Sequence, residues 1–505
     1  MRKFIHAVML ASAAAVGATG CSNFLSSNDV SLDPNQPSTA TASQLFQGVQ
    51  ASQWTEQEAL LGITTCVFIQ QCSGRGSGRF LDSYTQYIFS AQDFSFDYGQ
   101  MYLGGGLVDI HTVEAAEAGA GNVGFLGVAR IYEALVMSTA AGIWGDIPWS
   151  EAGDPVNHPL PALDRQMDIY NGLLGLLDSA IANLSVPISS TNPGPGGFDL
   201  VFARFNDPVA DPTGAVWRLQ WTRVAHTLKA RIYLHMAELN GATAYASAVT
   251  EANQGINNID ESFRAQHSTT ANEGNQWWQF NVTAFGRDLT AGIPLVNLMN
   301  NRDGVAGNAD PRLPEYFGCA PGTSPCQYIG NGFPADPTPP SYIEGTRNVA
   351  DYNQGIVTWE ENQLILAEAT CAPAQLAGAT GGVDPTTVCA ASAGFLNAER
   401  TAHGLATIAT PTIRDIMEEK YVAMFQNIEA WSDYKRSCIP ALVPNNGTFG
   451  PPSQVPGRLY YGDSEVNANS DNYPSTAGEL TFGGSFVSGQ NIVGFRNPDD
   501  PKPCP

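Results

Sequence analysis

The sequence predicts a mostly helical protein, with helix pairs forming a scaffold under a loop-rich half that holds a few short strands. Three observations predict it. Apolar side chains recur at three and four residues through long segments before residue 260. That rhythm is lost from about 264 to 357, where Gly, Pro, Asn and Asp accumulate. It returns at about 359–369, 386–403 and 412–436.

The segments around 41–63 and 106–118 are weaker helix candidates, with several glycines nearby. Gly119-Ala120-Gly121-Asn122-Val123-Gly124 fits G-x-G-x-x-G, but it follows a helical stretch rather than a strand. It reads as a helix–helix turn, not a dinucleotide site. Val128, Ile131, Tyr132, Leu135 and Val136 mark one helix face. Ile169, Tyr170, Leu173, Leu174, Leu177, Ile181 and Leu184 mark the next, with Asp164 as its N-cap. A third stripe runs Trp217, Trp221, Val224, Leu228, Ile232, His235, Leu239. Asp384 and Pro385 open the 386–403 helix. Thr410-Pro411 opens 412–436, where Ile413, Met417, Tyr421, Met424, Ile428 and Trp431 share a face. No strict repeat is present, yet amphipathic helices joined by short connections imply pairs packed side by side. A long loop-rich insert in such a scaffold points to function.

The N-terminus reads as a targeting segment. Arg2 and Lys3 precede an apolar run from Phe4 to Val16, too short for a permanent membrane span. Gly17-Ala18-Thr19-Gly20 then lead to Cys21, an order that resembles a lipoprotein signal, with Ala18 where such signals usually carry Leu. An ordinary secretory peptide cut near Ala18 is the alternative. The expected organisation is a signal over 1–20, a tether over 21–37 starting at the lipidated Cys21, and a single domain over 38–505. Within that domain the helical part is mainly 38–260 plus 359–436, and the loop-rich binding part mainly 264–357 and 438–505. Later in the chain no stretch reaches 18 uninterrupted apolar residues, so attachment to a membrane would be through lipid.

Twenty-four basic residues against 48 acidic ones give a net charge of −24. That argues against nucleic acid, which needs clustered Lys and Arg. Leaving Cys21 aside, eight cysteines remain in an exported chain. Cys66 and Cys72, Cys319 and Cys326, and Cys371 and Cys389 are near neighbours, leaving Cys438 and Cys504. Local pairing is expected, although eight cysteines allow 105 connectivities. Zinc is disfavoured, since no pair has C-x2-C spacing and no His lies close by.

Five fragments, taken together, resemble the SusD/RagB-like family. They are Leu32-Asp33-Pro34-Asn35-Gln36-Pro37, Gly142-Ile143-Trp144-Gly145-Asp146-Ile147-Pro148-Trp149, Ala309-Asp310-Pro311-Arg312-Leu313-Pro314, Glu361 to Ala369, and Ile416 to Arg436. The resemblance implies tetratricopeptide-like helix pairs under a loop-rich ligand-binding half. It also implies an outer-membrane, cell-surface lipoprotein that delivers an oligosaccharide, or a peptide, to a SusC-like TonB-dependent transporter. Within the fragments, Asp146, Asp310, Arg312, Glu368, Trp431, Asp433 and Arg436 are expected to form caps, salt bridges and core contacts.

Saccharide binding needs flat aromatic faces ringed by amides and carboxylates. Asn275, Trp277, Trp278 and Gln279 in the loop-rich stretch fit that need, and Tyr98 and Tyr102, one helical turn apart, form a second candidate. Arg75 and Arg79 in a Gly/Arg loop are more consistent with an exposed turn. Catalytic signatures are lacking: there is no G-x-S-x-G, G-x4-G-K-[ST] or H-E-x-x-H. Asn301-Arg302-Asp303-Gly304 ahead of Asp310 lacks calcium-loop spacing. No catalytic residue, metal ligand or cofactor is therefore assigned. A secreted glycoside hydrolase and a helical-repeat scaffold for protein partners are the competing classes.

Overall fold

The computed structural model describes residues 40–76, 80–205, 209–284, 287–332, 338–376, 381–445, 455–473 and Cys504. The signal, Cys21, the tether, the first family-like fragment and Arg79 lie outside these residues.

Helix α1 (Ala42–Glu58) opens on a capping box, in which Thr41 Oγ1 accepts from the Gln44 N–H and Gln44 Oε1 from the Thr41 N–H. A backbone break at Ala59 separates it from α2 (Leu60–Phe68). β1 (Cys72–Gly74), α3 (Phe80–Thr85), α4 (Ser95–Gln100), α5 (Leu107–Ala120) and α6 (Val123–Trp144) follow. The glycine-rich run at 119–124 is the α5–α6 corner, and Gly121 takes the left-handed turn at φ +73 that a Cβ would penalise. By length and composition α6 could cross a membrane, but it is the buried centre of the helical stack. Its apolar character on all sides reflects that position.

Asp164 does not cap α7 (Gln166–Leu184); Arg165 holds the cap position. Ile147 and Asp164 pair backbone to backbone, which turns the Asp164 carboxylate back onto the N–H groups of Trp149 (2.9 Å) and Ser150 (2.7 Å). Asp146 takes over at α7, accepting from the Gln166 N–H at 2.9 Å. α8 (Ala215–His235) and α9 (Ala237–Ala252) meet at Met236, so the stripe predicted through Leu239 spans two helices.

The 264–357 stretch is loop-rich as expected. It carries β2 (Phe263–Arg264) at its start, then α10 (Gln276–Gln279), β3 (Leu289–Ala291), α11 (Ile293–Asn300), α12 (Leu313–Tyr316) and β4 (Gly355–Val357). The strands form two antiparallel ladders, β1 with β3 and β2 with β4. α13 (Trp359–Cys371), α14 (Ala393–Ala402), α15 (Ile413–Ala423), α16 (Glu429–Ser437) and α17 (Asp463–Ala468) complete the described elements.

Two expected helices are shorter than the periodicity indicates. Residues 387–389 are drawn onto 411–413 by backbone hydrogen bonds (Cys389 N–H to Pro411 O, 2.7 Å; Ile413 N–H to Thr387 O, 2.9 Å), so α14 starts at Ala393. The 412–436 helix divides at Met424–Ile428, where Gln426 has φ +67, a conformation no α-helix accepts. Its apolar face stays intact, and Ile413, Met417, Tyr421, Met424, Ile428 and Trp431 are all buried.

Packing is serial. α5 lies on α6, α6 on α7, α7 on α8, α8 on α9, α9 on α13, and α13 on α14 and α15. This is the side-by-side order of a helix-pair solenoid. Four disulfides join Cys66–Cys72, Cys319–Cys326, Cys371–Cys389 and Cys438–Cys504, the local pairing expected.

Two ionic clusters are buried, and the first ties the loop-rich half to this stack. Arg312 donates to Asp310 (2.8 Å), Glu399 (3.0 Å) and Glu419 (2.5 Å), while Arg302 and Arg400 also bind Glu419. Burial alone would raise the Glu419 pKa, but the three guanidinium groups hold it down at about 2. In the second cluster Glu368 and Asp433 share Lys420 and Arg436. Asp303 is paired with Arg400 and Asp310 with two arginines, so the 301–310 loop spends these carboxylates on protein cations.

Candidate functional site

Between α1 and the loop that follows β2 lies a cleft of about 500 Å³. Its floor is Trp54, Ala51, Thr55 and Gln47, which α1 presents at helical spacing. Leu200, 37% exposed, adds an apolar wall. Gln266, His267, Ser268, Asn272, Glu273 and Gln276 form the opposite, polar wall. This combination, an apolar side facing amides with one lining carboxylate among the described residues, suits a ligand that is greasy on its faces and hydroxylated at its rim.

The polar wall is braced from below by Glu58, the last residue of α1. Its fully buried carboxylate meets His267 Nε2 at 2.9 Å, the Asn275 side-chain amide at 3.4 Å and the Gln276 N–H at 3.5 Å. Burial raises the Glu58 pKa against the opposing pull of His267. Asn275 also starts α10, its Oδ1 accepting from the Trp278 N–H at 3.1 Å. Glu273 closes the loop on itself, accepting from Ser268 Oγ at 2.6 Å.

The six residues singled out from sequence separate. Asn275, Trp277 and Tyr98 are buried. Trp277 is 1% exposed and packs against Phe425, with ring centroids 6.4 Å apart. Tyr98 is 2% exposed; its hydroxyl pairs with that of Tyr473 at 2.7 Å and its ring meets Trp144 edge-on. Tyr102 is half-buried and bonds Pro148 O at 2.9 Å. Neither tyrosine lines the cleft. The physical reason is shared: short helices α4 and α10 have one inward face, and the large apolar rings take it. Trp278 and Gln279 are half-buried on α10 with Gln276, the Trp278 ring lying over Gly274 and Gln279 bonding Gly274 O at 2.6 Å.

Most residues that line the cleft carry little signal in the sequence. Gln276 stands inside the 275–281 motif, where its aromatic neighbours are the more conspicuous candidates. Trp54 resembles one more core residue on a weak helix. Leu200 joins the site only through tertiary contact, its N–H donating to Gln50 Oε1 at 2.9 Å.

A protein-family model described as "starch-binding associating with outer membrane", SusD-like, matches residues 34–462. The chain belongs to the SusD-like family. Among solved structures it is similar to a chitin-binding protein, at 19% identity and TM-score 0.66, covering 91% of this chain and 100% of that one. It is also similar to a chitin-binding SusD homologue from Flavobacterium johnsoniae (17% identity, TM-score 0.65, 90% and 97% covered). A SusD/RagB family protein from Bacteroides thetaiotaomicron is comparable (17%, TM-score 0.62, 86% and 95%). No curated protein matches the chain in sequence at a significant level. At these identities the likeness to solved structures is one of fold, and it agrees with the mostly helical SusD-like architecture.

Proposed function

We propose that this SusD-like protein captures an oligosaccharide in the cleft between α1 and the 266–279 loop, without transforming it. The observation that carries the reading is the make-up of that cleft, where Trp54 and Leu200 face Gln266, His267, Asn272 and Gln276. A pyranose offers apolar C–H faces to such a wall and hydroxyls to such a rim. The family description and the chitin-binding names of two similar structures support the ligand class. Among the described residues the lining holds one carboxylate, Glu273, whereas glycoside hydrolysis calls for two, roughly 5–10 Å apart across the bond. Trp278 and Gln279, on the same short helix as Gln276, extend the contact surface, and half-exposed Tyr102 lies outside it.

The wider assignment follows the family. The chain is an outer-membrane lipoprotein anchored through Cys21 after removal of residues 1–20, exposed at the cell surface, and passes its ligand to a SusC-like TonB-dependent transporter.

Calorimetry with a panel of neutral oligosaccharides tests the reading. Binding that weakens about tenfold in Gln276→Ala and in Leu200→Asp, with the sugar recovered intact, is expected. Release of shortened sugar, or wild-type affinity in both variants, would overturn it; binding of peptides alone would replace the ligand class.

A further inference from the structure

A second cleft, of about 440 Å³, lies on other elements, bordered by the β1 turn, the start of α11, Asn331 and residues 441–445. Its lining contains no Asp, Glu, Lys, Arg or His among the described residues, in a chain that carries 48 acidic and 24 basic side chains. It is instead ringed by four carboxamides, Gln70, Asn297, Asn331 and Asn445.

These carboxamides are polarised in one sense. Three spend their nitrogens on the protein: Gln70 Nε2 donates to Tyr87 Oη (2.9 Å) and Val443 O (2.7 Å), Asn331 Nδ2 to Gly74 O (2.8 Å), and Asn445 Nδ2 to Thr85 O (2.8 Å). Asn331 is 2% exposed, and its Oδ1 is a buried oxygen with no donor among the described residues. A buried acceptor left unpaired has lost its hydration with nothing in return, so a group that supplies a donor there is favoured. The fourth, Asn297, is exposed at the rim. Ile293 and Val443, 40% and 79% exposed, supply apolar surface at the edge. The β1 wall is anchored twice, since Cys72 is disulfide-bonded to Cys66 and β1 is laddered to β3.

An uncharged cleft with fixed acceptors and apolar edges selects a neutral donor of many hydrogen bonds. We infer that this cleft is a second saccharide site, taking the hydroxyls of a neutral sugar unit on the oxygens of Gln70, Asn331 and Asn445. The inference shares the saccharide class with the reading above but none of its residues.

The two sites separate by their signals. The α1 cleft contains Trp54, whereas the second cleft is lined by no tryptophan among the described residues. Maltotriose and chitotriose are titrated by calorimetry and by tryptophan fluorescence, into the wild type, Asn297→Ala, Val443→Arg and Gln276→Ala. Both test positions of the second cleft are exposed, so these variants are expected to fold, which circular dichroism checks. The expected result for at least one sugar is two sites per chain by calorimetry. One of them is lost in Val443→Arg and weakened severalfold in Asn297→Ala, with the fluorescence change intact. No change in stoichiometry or affinity in either variant, or a wild-type stoichiometry of one that Gln276→Ala abolishes, overturns the second site. Failure of the first reading looks different: no fluorescence change, no effect of Gln276→Ala, and a calorimetric site that Val443→Arg removes.

Discussion

His267 reaches Glu58 Oε1 at 2.9 Å through one ring nitrogen and the Glu273 carbonyl at 3.1 Å through the other. Both partners are acceptors, so both are satisfied only by the protonated ring. Burial disfavours that charge, but the bond to Glu58, its carboxylate charge and the Glu273 carbonyl outweigh it, and the His267 pKa is raised above its ordinary value. The folded state thus holds a proton more tightly than the unfolded chain, and the raised Glu58 pKa acts in the same direction. The stabilisation is fully present below the ordinary histidine pKa of about 6.5 and is lost as pH rises through the raised value. Amide exchange in residues 266–279 is expected to accelerate from pH 6 towards pH 9, beyond the intrinsic pH effect. His267→Gln should remove that extra dependence, and identical profiles would contradict the account.

The adjacent tryptophans of α10 are expected to behave differently. Trp277→Ala empties a core position and should cost about 3–5 kcal/mol in denaturant melts. Trp278→Ala should cost less than about 1.5 kcal/mol, since its ring is half-buried, and should instead reduce saccharide affinity. Equal stability losses would show that both rings only brace the loop.

Glu419 is the shared anion of three arginines. Glu419→Gln leaves Arg302, Arg312 and Arg400 with too little negative charge, at a cost of about 3–5 kcal/mol for a broken buried pair. Half-buried Glu261, paired with Arg223 near the surface, should cost under about 1 kcal/mol when changed to Gln. Urea melts of the two variants compare these values directly.

Of the four disulfides, Cys438–Cys504 spans the longest segment, 66 residues, and Cys66–Cys72 the shortest, 6. On loop-closure entropy the first is worth about 4 kcal/mol and the second about 2–3 kcal/mol. Cys438→Ser/Cys504→Ser is therefore expected to lower the melting temperature more than Cys66→Ser/Cys72→Ser. The reverse order would place the stabilisation in native contacts.

The helical stack is legible in the sequence because stripes such as Ile169–Leu184 repeat at the helical period over several turns. Breaks are not: neither Gln426 nor Ala59 belongs to a residue type that announces a helix end. Asp164 has the residue type and position of a cap, but the N–H groups that claim it, those of Trp149 and Ser150, lie 15 and 14 residues upstream. The site is only partly legible. Aromatic residues in a loop-rich stretch point to 275–279, yet sequence cannot say which ring a four-residue helix turns inward. The proposed wall belongs to small polar neighbours and to Trp54, drawn together by the contacts of Glu58 with His267, Asn275 and Gln276.

Glu419 and Lys420 are consecutive on α15 and so point about 100° apart, one into each ionic cluster. A single helical turn thereby serves one cluster that locks the loop-bearing half to the stack and a second that binds α13, α15 and α16 to one another, with no residue of the 266–279 wall taking part. New cargo preferences can accordingly arise by rewriting that wall alone, while the frame beneath it keeps its shape.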